Sequence, residues 1–526
     1  MPILSTLVDF ASKYTTLYAT QSNGWKLLAA FIALIVFKYR SHAIGTRARP
    51  DLKGPRAFPL LGHMPLMASI PGTQLYEFFE SNYEKYGPVW SISLPKIGRM
   101  TEVDTPELLE HILKTNFWSY EKGDHFRSVF WNLVGNGIFT ADGHDWKHQR
   151  KLMGRIFTVN AFKEYISDVF VTEGQKVIDY LAKAADEGTV VDFQLLMQHF
   201  ALDAIGTVSF SESFKCLDDV GKQVPFASAF DELLSFSAMR VVDPLWKIHE
   251  KITGRGKKAQ NDQDIIAAPC YRLMEKRRRE GFHGTKRDLL QWFLEAKDDE
   301  GNHLPDDLIK DMLISITVAG RDTTASSMAW MFYSLHCTGA DPDVLKKLVH
   351  EVDDVLQDGL PSYETYKQQK FSEACFHESL RLHPAVPRNL KICVQDDVLP
   401  DGTKIYAGEW VTWSPYVMGR SKTIWGEDAR EFKPSRWINT EKPSQGKFNA
   451  FHVGPRVCLG QQFATVQVMT MIAMILSKFT IELVHPDKLP PYGVSFALSM
   501  LEGLPIRVHH RADKAKAPGL PTEREE

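Results

Sequence analysis

The sequence predicts a mainly α fold, one large helix-rich domain with small β-sheets. Three observations lead there. Long stretches of helical apolar spacing run from Leu308 to Cys337 and from Pro342 to Leu356. The β-rich stretches are short and few: Val89 to Leu94 early, Lys404 to Tyr406 and Trp410 to Trp413 late. No internal repeat is visible. The composition of the 526 residues is globular, with 44% hydrophobic, 24% charged and 11% aromatic. It excludes wholesale disorder, a collagen-like fibre and a polytopic membrane protein. Lys+Arg 62 against Asp+Glu 65 gives −3, so no global basic field argues for nucleic acid. Six cysteines, Cys216, Cys270, Cys337, Cys375, Cys393 and Cys458, are too sparse for a disulfide scaffold and read as reduced thiols.

Residues 1–49 read as an N-terminal membrane anchor with a basic flank. The apolar run from Trp25 to Phe37 covers about 20 Å as a helix, short of the ~30 Å hydrocarbon core. Extension backwards through Leu17, Tyr18 and Ala19 lengthens it, and Lys26 can snorkel. Lys38, Arg40, Arg47 and Arg49 follow at once, which places the remaining chain in the cytosol. No small-residue cleavage site follows, so a retained helix, spanning or lying on the membrane, is preferred to a removed signal. A buried core helix is the plain alternative. Residues 50–62 carry Pro50, Pro55 and Pro59 and read as a stiff, non-helical stalk. Residues 63–508 form the body, and 509–526, charged and carrying Pro518, Gly519 and Pro521, read as a frayed, disordered tail. The basic run Lys276-Arg277-Arg278-Arg279 reads as a solvated helix end.

The segment with most chemistry is Phe451-His452-Val453-Gly454-Pro455-Arg456-Val457-Cys458-Leu459-Gly460. A long apolar helix opens behind it at Gln461, which puts Cys458 at a helix N-terminus. There the helix dipole and free N–H groups stabilise a thiolate, and Arg456 adds positive charge. Glycines let the backbone approach a flat ligand closely. Such a thiolate serves as a nucleophile or a metal ligand; for a lone cysteine, a structural role is the plain alternative.

The pattern F-x-x-G-x-R-x-C-x-G resembles the haem-binding loop of the cytochromes P450, and every fixed position matches. The resemblance implies the cytochrome P450 fold over 63–508. It also implies haem b (iron protoporphyrin IX) as a non-covalent cofactor, with Cys458 as the axial thiolate and metal ligand. His452 is the one departure, standing where a small or amide residue is commoner. Other segments carry the likeness in the same chain order. Glu378-Ser379-Leu380-Arg381 is similar to the family's E-x-x-R, with Arg436 in the place of the arginine that closes a buried structural network. Trp146-Lys147-His148-Gln149-Arg150 resembles its W-x-x-x-R helix; Trp146 and Arg150 would donate to a haem propionate, as would Arg388 and Arg456.

Ala319-Gly320-Arg321-Asp322-Thr323-Thr324 lies inside the Leu308 to Cys337 helix, where glycine and paired threonines are poor helix formers. A threonine hydroxyl there can bond back to a carbonyl and open a groove. The hexapeptide is similar to the family's A/G-G-x-D/E-T-T. That likeness implies a monooxygenase in which Thr323 holds the hydrogen bonds of water and activated oxygen while Asp322 relays protons.

The chain carries no convincing flavin or nicotinamide fingerprint. The resemblance therefore implies electrons from NADPH through a partner, NADPH-cytochrome P450 reductase, with cytochrome b5 a further donor, at the endoplasmic reticulum membrane. Lys147, Arg150, Lys151 and Arg155 form a basic cluster suited to an acidic partner. Within the family, the chain is similar to yeast alkane-assimilating enzymes and plant fatty-acid ω-hydroxylases, which implies a small apolar substrate hydroxylated at or near a chain end. The expected pocket is Phe126, Val129 and Phe130, Ile316 and Ala319, Ala385 and Val386, and Phe496, Ala497 and Leu498. Ala319 stands where animal ω-hydroxylases carry a glutamate tied to haem. The competing readings are a biosynthetic monooxygenase acting on a terpenoid, polyketide or indole scaffold, and a haem-binding sensor without oxygenation.

Overall fold

In the computed structural model, the described residues are 25–154, 159–222, 224–281, 288–357, 359–493 and 495–511. Helix dominates, as the apolar spacing predicts. The helices that frame the site are α1 (Gly123–Val134), α2 (Gly143–Gly154), α3 (Ser167–Glu187), α4 (Phe193–Phe210), α5 (Pro225–Val242), α6 (Arg255–Glu280), α7 (Asp306–His336), α8 (Lys370–Leu382) and α9 (Gln461–Leu476). Helix α7 begins behind Pro305 with Asp306 and Asp307 in its first turn, where carboxylates complement the dipole. It is buried along most of its length, from Ile309 to Leu335, and so reads apolar all round. Helix α9 is buried in the same way from Phe463 to Leu476. Helices α4 and α7 pack side by side through the core, with α9 against α3.

The strands are β1 (Val89–Leu94), β2 (Gly98–Val103), β3 (Tyr120–Glu121), β4 (Val191–Asp192), β5 (Asn389–Cys393), β6 (Asp397–Val398), β7 (Lys404–Ile405), β8 (Trp410–Trp413), β9 (Phe479–Leu483) and β10 (Pro505–His510). The largest sheet has the order β1-β2-β8-β5-β3. Its β2–β8 pair is parallel, with Met100 opposite Trp410; the other neighbours are antiparallel. This sheet carries Arg388, just before β5, to the site, with Lys391 buried behind it.

Residues 25–38 are helical, and Trp25, Leu27, Phe31, Leu34 and Phe37 are exposed. Among the described residues, no helix is long and apolar enough to cross a membrane. The proposed extension through Leu17, Tyr18 and Ala19 lies outside them. The segment 50–62 is non-helical, but it lies on the large sheet rather than standing off it. Ser91 N donates to Lys53 O at 2.9 Å and His63 N to Ser93 O at 2.8 Å. Gly54 is required by that approach, since a Cβ there would stand 2.3 Å from Ser91 O. At the other end, β10 runs to His510, and Arg511 pairs with Asp353. Order therefore continues past 508, and the remaining expected tail, 512–526, lies outside the described residues. The basic run ends α6, as expected, but is paired: Lys276 with Glu212, Arg277 with Asp288, Arg278 with Asp306 and Arg279 with Glu280.

Candidate active site

A cavity of about 870 Å³ lies between α1, α2, α7, the β5 side of the large sheet and the Cys458 loop. Cys458 opens onto it, as do Gly460 and Leu459. The loop is held by Cys458 N donating to Phe451 O at 2.8 Å, and α9 starts at Gln461. Burial raises the Cys458 thiol above its ordinary range, against the Gly460 N–H and the Arg150 charge, which lower it. The expected helix-end effect is thus present through Gly460, but burial outweighs it. Arg456 is not the helper it was expected to be. Its guanidinium is committed to Asp142 Oδ1 at 2.7 Å and Ala141 O at 2.8 Å, and Arg150 is the nearer influence on Cys458.

Four cations line the cavity: Lys122, Arg150, Arg388 and Arg456. Two have carboxylate partners, Arg456 with Asp142 and Arg388 with Glu102. Among the described residues, Lys122 and Arg150 form no ion pair; Arg150 Nη2 donates to Val457 O at 2.7 Å. Trp146 lies under the set, with the Arg456 and Arg150 guanidiniums 4.6 and 5.9 Å from its ring centroid. Arg388 Nε and Arg456 Nε are buried without a hydrogen-bond partner. Lys122 is a residue the motif reading missed, because it follows β3 in no pattern of its own. Burial, then the Arg456 charge, push it down to about 7. Behind it, fully buried Lys391 is lowered well below its ordinary value for the same reasons. His452, the departure from the family pattern, adopts φ 70° and lines the cavity. Its Nδ1 is 3.0 Å from Val453 O, and its Nε2 has no partner. Burial, then Lys122 and Lys391, push it down to about 3, so its ring is neutral.

On α7, Ala319, Gly320, Thr323 and Thr324 line the cavity. Thr323 Oγ1 donates to Ala319 O at 2.5 Å, the back-bond expected of a threonine in a helix interior. Asp322 does not line the cavity. It is buried on the opposite side of α7, toward Arg321 and Asp231 of α5. Burial pushes its carboxyl up to about 6, with Arg321 lowering it and Asp231 raising it.

The network of Glu378, Arg381 and Arg436 comes together as the motif implies. Arg381 Nη2 and Nε each donate to the Glu378 carboxylate at 2.8 Å, and Arg436 Nε donates to Glu378 Oε1 at 3.2 Å. Trp437 Nε1 adds a bond at 2.9 Å that the motif did not reveal. Of the expected pocket residues, Phe126, Phe130, Ile316, Ala319, Ala385, Val386 and Phe496 line the cavity. Val129, Ala497 and Leu498 do not; they are buried in the core. Phe126 and Phe130 share one face of α1 at i,i+4, which turns Val129 away. Leu498 acts through its backbone: its N–H bonds Ala385 O at 2.9 Å, and its carbonyl accepts from Ser326 and Trp330 at 2.6 Å. In the expected docking cluster Lys147 and Lys151 are exposed, Arg150 turns inward, and Arg155 lies outside the described residues.

A helical body with a deep cysteine facing an apolar cavity, beneath cations short of anions, defines a haem-binding protein. The chain belongs to the cytochrome P450 family, whose model matches residues 52–504. It is 34% identical over 480 residues to cytochrome P450 monooxygenase cyp1 of Mycosarcoma maydis, covering 87% of this chain and 74% of that protein. It is 33% identical over 506 residues to cytochrome P450 94B3 of Arabidopsis thaliana, covering 92% and 97%. With cytochrome P450 94B1 of the same plant it shares 34% over 435 residues, covering 79% and 83%. The protein is a P450 monooxygenase, and the family's cofactor is non-covalent haem b, reduced by a partner protein. The residues present fit that group: a free cysteine sulfur exposed to the cavity, and, among the described residues, two cations without an ion pair, Lys122 and Arg150, for two carboxylates.

Proposed function

We propose that the protein hydroxylates long-chain fatty acids or alkanes at or near the chain end. The observation that carries this reading is the cavity itself. Beyond its cations it is lined mainly by apolar side chains, among them Met64, Ile70, Phe79, Phe126, Phe130, Val241, Ile316 and Phe496. Such a lining suits an extended alkyl chain held by burial alone, at ~0.8 kcal/mol for each methylene. The likeness of the Cys458 loop and the Ala319 to Ala325 stretch to alkane and fatty-acid hydroxylases supports the same substrate class.

Haem bound here supplies reductive activation of O2 and delivery of one oxygen atom to an unactivated C–H bond. In this reading the Cys458 sulfur would hold its iron, and Lys122 and Arg150 would hold its carboxylates, with Trp146 as their apolar support and Arg456 and Arg388 beside them. The Thr323 hydroxyl, bonded back to Ala319, holds a proton at the cavity wall, and Asp322 exchanges protons from the far side of α7. Phe126, Phe130 and Phe496 exclude water and orient the chain.

Electrons come from NADPH through an NADPH-cytochrome P450 reductase, with cytochrome b5 as a second donor. The exposed Lys147 and Lys151 offer a positive surface to an acidic partner. The exposed apolar helix at 25–38 seats the protein on the endoplasmic reticulum membrane. The test is product analysis by mass spectrometry. Membrane-expressed protein, reductase and NADPH are mixed with a panel of alkanes and fatty acids, after the reduced-CO spectrum has established thiolate-ligated haem. Terminal or near-terminal hydroxy products are expected. Spectrally intact protein that yields no lipid product overturns the substrate class.

A further inference from the structure

Helix α7 places two charged residues side by side, Arg321 and Asp322, at 1% and 7% side-chain exposure. Neighbouring residues on a helix do not face each other, so the two cannot pair in parallel. The Arg321 fork turns instead to Asp231 of α5, ninety positions back in the chain. Nη1 donates to Asp231 Oδ1 at 2.5 Å and Nη2 to Oδ2 at 3.3 Å. Asp322 receives only a side contact, with Nη1 3.1 Å from its Oδ1. No N–H is aligned on that oxygen, which is buried without a hydrogen-bond partner, as is Arg321 Nε. The Asp231 side chain is 56% exposed and reaches solvent, while the Arg321 guanidinium also stands 5.3 Å from the Phe230 ring centroid.

We propose that Asp231 is a positioning residue for the monooxygenase reaction: by occupying the Arg321 fork it keeps that cation from locking Asp322 as a carboxylate. Asp322 then stays able to gain and lose a proton behind Thr323. The inference rests on the proton-exchanging role proposed above for Asp322.

The groups around the pair agree. From α4, His199 is kept neutral by burial and by the Arg321 charge. Cys216 is pushed up to about 12 by burial and Asp203, and so stays a neutral thiol. Asp203 itself is taken up by the backbone N–H groups of Cys216 and Leu217 at 3.0 and 2.9 Å. Two carboxylates, Asp231 and Asp322, therefore share one guanidinium. Removing the charge of Asp231 leaves Arg321 to Asp322 alone, and Asp322 then loses its proton at lower pH.

The experiment measures NADPH consumption and product across pH for the reductase-coupled holoenzyme and its Asp231→Asn, Asp231→Glu and Asp231→Ser variants. The alkyl substrate is chosen only by its shift of the Soret band. Asp231→Asn and Asp231→Ser should move the alkaline limb of the rate profile down by about one pH unit, a loss of up to about tenfold at neutral pH. Asp231→Glu should restore the unsubstituted profile, and the Soret shift should be unchanged in all. An unmoved profile in Asp231→Asn or Asp231→Ser overturns the proposal. So does loss of haem from all three variants, which would make Asp231 a plain tie between α5 and α7. Failure of the substrate class shows separately, as absence of lipid product from the unsubstituted protein.

Discussion

Glu378 and Arg381 of α8 meet fork to fork, two bonds of 2.8 Å between side chains with no exposed surface. The remaining donors of Arg381 reach the carbonyls of Gly419, Ala429 and Glu431. Arg436, Trp437 and the Lys433 N–H complete the coordination of the Glu378 carboxylate. A buried pair this fully satisfied ties α8 to the meander that leads to the Cys458 loop. Its value lies less in net attraction than in the cost of leaving one partner alone.

Glu378→Gln should therefore destabilise the fold by about 3–5 kcal/mol, since it leaves the fully buried Arg381 without its carboxylate, while Arg436 keeps Asp428. Denaturant unfolding followed by the Soret band checks this. A loss under 1 kcal/mol would show the network to be dispensable.

Lys122 gives a pH dependence to haem binding. Burial lowers it from 10.5 to about 7. In the haem-free protein its penalty is fully present below about pH 7 and is relieved as pH rises toward its ordinary value. A propionate beside Nζ restores the charge, so binding above about pH 7 takes up a proton. Haem affinity should fall as pH rises there, by up to about tenfold per unit. Lys122→Met should flatten that slope in a haem-transfer titration.

Thr323→Ala removes the hydroxyl at the cavity wall while leaving the helix a better former. Product formation should fall by about 100-fold with NADPH consumption less affected, so that the ratio of product to NADPH drops. An unchanged ratio would remove Thr323 from the proton path.

Cys458→Ser should abolish the thiolate signature of the reduced-CO spectrum, with the far-ultraviolet helical signal retained. Persistence of that signature would overturn the ligand assignment.

The sequence made legible what is local. The Ala319 to Thr324 stretch, the E-x-x-R spacing and the Cys458 loop each lie within a few residues, and each is found where its pattern puts it. The groups that went unread are brought together by long-range packing. Lys122 matters only because β3 and β5 pair, which sets it near Lys391 and Arg456. Asp231 matters only because α5 crosses α7. Val129, Ala497 and Leu498 failed for a related reason: apolar character does not say which side of an element meets the cavity and which the core. Asp322 was read as a proton relay beside Thr323; adjacent helix positions point apart, so it lies away from the cavity that Thr323 lines, a placement the motif alone does not give.

The contacts of α2 and the residue before it with the cysteine loop, Arg150 with Val457 and Asp142 with Arg456, join segments more than 300 positions apart. A ribosome adding about 5–20 residues per second takes roughly 15–60 s to travel from Arg150 to Cys458. For that interval the nascent chain displays half a cradle, cations and an aromatic platform without the sulfur opposite them. Capture of the prosthetic group is thus deferred until nearly all of the polypeptide has been made, and a truncated product carries no complete pocket to sequester it.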